Sequence, residues 1–157
     1  MKSQTRCRWV VIGSLLSAAV AAGVGDAGAA GPYRYHAVTP CRVADTRGNG
    51  FTGQYGPPMI AGGSTRTITI AGQCGIPAGA AAVAFNLTIV NQTASGDIRV
   101  FPAGTAEPLV STQNWTATTG AIANGAIVAL SAGGAATVKI DGYSAVNLIV
   151  DVTGYFQ

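Results

Sequence analysis

Along most of this chain, side chains two positions apart repeat in kind, and that period confines it to β-sheet. In Val83-Ala84-Phe85-Asn86-Leu87-Thr88-Ile89 the large apolar residues fall at every second position. Val138 and Ile140 alternate with Thr137, Lys139 and Asp141, and Val146, Leu148, Val150 and Val152 alternate with Asn147, Ile149, Asp151 and Thr153. Successive strand side chains point to opposite faces, so each run buries one face and wets the other. Further strands are predicted over 35–39, 66–71, 96–101, 110–115 and 126–130, with 122–124 opening the last or standing alone. Turn chemistry separates them: Gly48-Asn49-Gly50, Gly56-Pro57-Pro58, Gly62-Gly63, Pro77-Ala78-Gly79, Ala103-Gly104, Gly133-Gly134 and Asp141-Gly142. The gaps 91–96 and 130–137 have hairpin length. Only 78–82 has helical composition, and it is too short to stand alone. The expected fold is all-β: a single two-sheet antiparallel sandwich, jelly-roll or immunoglobulin-like, in preference to a closed barrel. An echo between 82–89 and 145–152 needs no duplication, since two buried strands of one sandwich look alike.

Residues 1–29 have another character. Lys2, Arg6 and Arg8 precede an apolar run from Trp9 to Val24, and Ala27-Gly28-Ala29 fits a signal-peptidase site. Sixteen residues are short for a membrane span of ~20. The expectation is a cleaved secretory signal over 1–29, a β-sandwich domain over 30–157, and no stable membrane insertion afterwards. Charge agrees with export rather than nucleic-acid binding. The formal charge of +3 falls mostly in the leader, and beyond it six arginine and lysine residues face five acids without clustering. Outside the leader only Cys41 and Cys74 remain, and an oxidising compartment is expected to join them. Their spacing matches neither a zinc site nor a redox C-x-x-C.

Two segments are more specific than composition requires: Thr39-Pro40-Cys41-Arg42-Val43-Ala44-Asp45-Thr46-Arg47, and Leu148-Ile149-Val150-Asp151-Val152-Thr153-Gly154-Tyr155-Phe156. Together they resemble a module of bacterial secreted and cell-surface proteins that opens with P-x-R-x-x-D-T-R and closes with D-V-x-G-Y-F. The resemblance spans nearly all of 30–157. It implies an extracellular β-sandwich and no established activity. From the residues themselves, Arg42, Asp45, Arg47 and Asp151 are expected to form a structural ion-pair network. The alternative, Asp45 and Asp151 as calcium ligands, has too few oxygens in pattern, so no metal and no cofactor are expected.

Catalytic chemistry finds little footing. His36 is the only histidine, no serine sits in G-x-S-x-G, and Glu107 is the sole glutamate. The chain is therefore read as a non-enzymatic structural or adhesive protein, outside the cell or on its surface, with a hydrolase third in rank. Polar, weakly charged strands leave sheet edges without gatekeepers. The arm carrying Tyr33, Tyr35 and Val38 is a candidate for strand addition between copies, giving a homo-oligomer or filament, with pairing inside its own domain the plainer reading. The runner-up is a carbohydrate-binding module for cell-surface glycans, with Phe51, Tyr55 and Trp115 as the ring platform; the plainer reading packs the two loop rings down and lets Trp115 plug the core.

Overall fold

The computed structural model describes residues 32–157, so the predicted leader lies outside the described residues. Eight strands follow in order: β1 (Tyr35–Asp45), β2 (Thr65–Thr69), β3 (Ala82–Val90), β4 (Gly96–Pro102), β5 (Gln113–Trp115), β6 (Ile122–Ala129), β7 (Ala135–Gly142) and β8 (Asn147–Phe156). They form two four-stranded antiparallel sheets, β1-β8-β3-β6 and β2-β7-β4-β5. The two-sheet sandwich read from the alternation is the observed fold. Its topology has a simple rule. β1 pairs with β8, β2 with β7, β3 with β6 and β4 with β5, so the chain is one long hairpin rolled into two layers. That is the jelly-roll arrangement rather than the immunoglobulin one.

The same rule corrects the hairpins expected at 91–96 and 130–137. β3 and β4 belong to opposite sheets, as do β6 and β7, so both gaps are bridges between layers. Among the described residues, only the β4–β5 connection stays within one sheet. Loop length alone cannot separate a hairpin from a crossing, because both need only a few residues to turn the chain through the thickness of a sandwich.

Alternating residues meet between the layers. Val83, Phe85, Leu87 and Ile89 of β3 and Leu148, Val150 and Val152 of β8 face Ile98 and Val100 of β4 and Val138 and Ile140 of β7. Burial of each such side chain contributes roughly 1.5–3 kcal/mol. The predicted strand at 110–115 shrinks to Gln113–Trp115, leaving Leu109 and Val110 exposed in the preceding loop.

β1 is much longer than predicted, running through Pro40 to Asp45. An edge strand tolerates proline because its missing N–H faces away from the ladder. β1 is also irregular. Arg42 pairs with Asp151 but Ala44 pairs with Val150, so Val43 is an inserted residue. Val43 and Ala44 both enter the buried cluster, and the alternation inverts beyond them.

Candidate functional site

The four residues of the predicted ion-pair network do converge, on the outer face of the first sheet. Strict period two would put Arg42 and Asp45 on opposite faces, since they are three apart. The extra residue at Val43 brings them onto one face, opposite Asp151 and Ile149 of β8. Arg42 then grips Asp151 as a fork, Nε to Oδ1 at 2.7 Å and Nη2 to Oδ2 at 3.1 Å, and reaches Asp45 with Nη1 at 3.3 Å. A second fork closes from Arg47, whose Nε and Nη2 donate to the two oxygens of Asp45 at 2.9 and 2.7 Å.

Asp45 is fully buried while both arginines keep about 40% of their side chains exposed. A buried carboxylate is sustained only if its lone pairs are engaged. Here the Arg47 backbone N–H and Asn49 Nδ2 complete the set, at 3.1 and 2.9 Å. Asn49 reaches back from the Gly48-Asn49-Gly50 turn, where all three residues have positive φ. The Arg47 hydrogen bonds hold the Asp45 carboxyl well below the usual carboxylate range, with burial opposing and Asn49 assisting. These donors occupy the oxygens that the calcium alternative would need. Among the described residues no group of three or more His, Cys, Asp or Glu is placed to hold a metal ion.

Sequence reasoning missed two further polar groupings, one beside this network and one on the second sheet. Thr46 is buried, accepts the Leu148 N–H at 2.8 Å and donates to Asn147 Oδ1 at 3.0 Å, fastening the first motif to the last strand. Arg99 on β4 gathers Asp97, Glu107 and Asp141 at 3.3, 2.6 and 2.8 Å. The Asp97–Arg99 spacing of two was a readable same-face signal; Asp141 needed the β4–β7 register.

Cys41 and Cys74 are joined, with Cα atoms 5.7 Å apart. His36 lies in β1 with its ring stacked on Tyr155, centroids 4.9 Å apart and planes 12° from parallel.

Phe51, Tyr55 and Trp115, the ring platform of the runner-up reading, are not presented together on the surface. Trp115 is 5% exposed in the core, and its indole N–H donates to the Ala94 carbonyl at 3.0 Å. Gly96 on β4 leaves room for the ring, since a Cβ there would meet Trp115 Cζ2. Tyr55 is half-buried against the core with its hydroxyl near Gln73 Nε2, and Phe51 is half-buried. Apolar area wins here: a ring of this size gains more inside than on a wet loop. Trp115→Phe is accordingly expected to cost about 1–2 kcal/mol in urea unfolding, from the lost hydrogen bond and ring volume. A stability equal to wild type would return Trp115 to the surface.

The arm of Tyr33, Tyr35 and Val38 follows the plainer of its two readings. It pairs within its own chain. Arg34 and Gln157 exchange backbone hydrogen bonds, and Tyr35 lies opposite Phe156 with ring centroids 5.2 Å apart. The Tyr35 ring covers Gly154, where any Cβ would collide with it, and its hydroxyl donates to the Thr153 carbonyl at 3.2 Å. Val38 packs on the core, and Tyr33 remains half-exposed. No protein-family model and no curated protein matches the chain.

Proposed function

We propose that this chain is an exported, non-catalytic β-sandwich with a structural or adhesive role outside the cell, and that copies of it join through strand edges. The observation that carries the reading is the use made of its charges. All five carboxylate side chains of the described residues, Asp45, Asp97, Glu107, Asp141 and Asp151, lie within 4 Å of Arg42, Arg47 or Arg99. Groups that would donate or accept protons in catalysis serve here as counter-ions fixing strand register. Export is supported by the leader pattern of residues 1–29 and by the Cys41–Cys74 bond. No helix among the described residues is long and apolar enough to cross a membrane. The resemblance of the Pro40–Arg47 and Asp151–Phe156 segments to secreted bacterial surface modules points the same way.

Cell fractionation with mass spectrometry, followed by sedimentation velocity over a concentration series, tests both parts. The expected protein is extracellular, shortened by about the predicted leader and free of alkylatable thiols, and its sedimentation coefficient rises with concentration. An unprocessed intracellular chain with two reactive thiols at Cys41 and Cys74 would overturn export. A monomer at every concentration would overturn self-joining.

One observation favours glycan binding as a second reading. Tyr143 is 98% exposed beside a shallow cleft that Ser95, Gly96 and Asp141 also line. A glycan array run on wild type and Tyr143→Ala separates the readings. Binding lost in the variant supports the lectin; no binding by either leaves the structural role.

A further inference from the structure

Unpaired sheet edges decide what a sandwich can join, and this fold has four: β1, β6, β2 and β5. Three are blunted. β1 carries Pro40, two register irregularities and the Arg42 fork. β2 has five residues, and Arg66 ties it to the Gly56 and Pro58 carbonyls. β5 has three residues. β6 is different, with eight residues, Ile-Ala-Asn-Gly-Ala-Ile-Val-Ala, and neither charge nor proline. Its first end is occupied, because Gln113 Nε2 donates to the Ile122 carbonyl and Asn124 Nδ2 donates to the Thr112 carbonyl. From Gly125 to Ala129 no comparable partner covers the outer side among the described residues. That free stretch is centred on Ile127, a residue 66% exposed. Gly125 and Ala129 share its face and leave room around it.

We propose that β6 pairs antiparallel with β6 of a second copy of this chain, about a two-fold axis at Ile127. In that register Ile127 faces the partner's Ile127, and Gly125 faces the partner's Ala129. The first sheet then runs unbroken through both copies. A second copy fits because the joint must be self-complementary. This strand opposes no like charges when it meets itself, and each exposed isoleucine meets an equal apolar surface between small neighbours. Five paired residues a side cover less than the ~800 Å² per partner of a standard interface, so the joint is weak and depends on concentration. The inference rests on the self-joining reading above and names its seam.

The test uses the full chain carrying Cys7→Ser, so that no other thiol confuses the result. Ile127→Cys is oxidised mildly at a concentration where the parent associates. Positions directly opposite on paired strands have Cβ atoms about 4.5–5.5 Å apart, within reach of a disulfide after small adjustment. The covalent dimer is expected in at least tenfold higher yield than with Thr39→Cys on β1. Ile127→Lys, with unchanged circular dichroism and unfolding, is expected to weaken association at least tenfold. Equal association of Ile127→Lys and wild type, or cross-linking that favours Thr39→Cys, would overturn the β6 seam while self-joining stands. A parent that stays monomeric would remove both.

Discussion

Replacing Cys41 and Cys74 together by alanine is expected to destabilise the domain by about 3–4 kcal/mol and to lower Tm by roughly 10–15 °C. The two cysteines are 33 positions apart, so the bond closes a loop holding the Gly48–Gly50 turn and the whole of β2. Without it the unfolded chain regains the freedom of that loop, which in the chain-entropy account supplies most of the effect. The bond also fastens edge strand β1 to the segment that leaves the second sheet for β3. Cys74 has φ +52°, a left-handed conformation that costs a residue with a Cβ about 1–2 kcal/mol. Cys41→Ala with Cys74→Gly should therefore recover about 1 kcal/mol relative to the double alanine variant. Paired thermal and urea unfolding of the three proteins measures both differences. A double alanine variant within 1 kcal/mol of wild type would mean that the sheets hold their edge unaided.

What the sequence made legible follows from where its physics is local. Alternation at 83–89, 137–141 and 146–152 identified core strands, because burial of one face is written into each strand separately. The disulfide was legible because, of three cysteines, only Cys41 and Cys74 lie outside the predicted leader. Sheet assignment was not, since 91–96 and 130–137 turn the chain without showing whether it returns to the same layer. Trp115 was ambiguous for another reason: a ring with one polar atom suits a wet platform or a dry slot, and only Gly96 opposite it and the Ala94 carbonyl decide. The network's members were legible as types. Their convergence depended on one inserted residue at Val43, which no periodicity announces. The openness of β6 from Gly125 to Ala129 likewise emerges only once Thr112 and Gln113 are seen to cover its other end.

That inserted residue makes Asp45 the most consequential single acid in the chain. Asp45→Ala is expected to cost about 3 kcal/mol, because it leaves two arginines, a backbone N–H and the Asn49 amide without their shared acceptor. Both guanidinium groups can recover part of their hydration, which keeps the loss at the low end for a broken buried pair. Asp151→Asn should cost under about 1 kcal/mol, since that carboxylate and its Arg42 partner are both partly exposed. The pH dependence has a definite sign. Asp45 titrates well below the usual carboxylate range in the folded state, so its contribution is complete above that range. It is lost as pH falls below about 4 toward the depressed folded value, because the unfolded chain then takes up the proton first. Thermal unfolding of wild type should accordingly be flat with respect to this group from pH 7 to about 5 and fall steeply below about 4. In Asp45→Asn, already less stable at neutral pH, the acid limb should be shallower, so the two curves converge as the pH drops. Parallel curves down to pH 2 would show that Asp45 is no more strongly held in the folded protein than in the unfolded chain, and the Arg42–Arg47 clasp would lose its role in fixing β1 against β8.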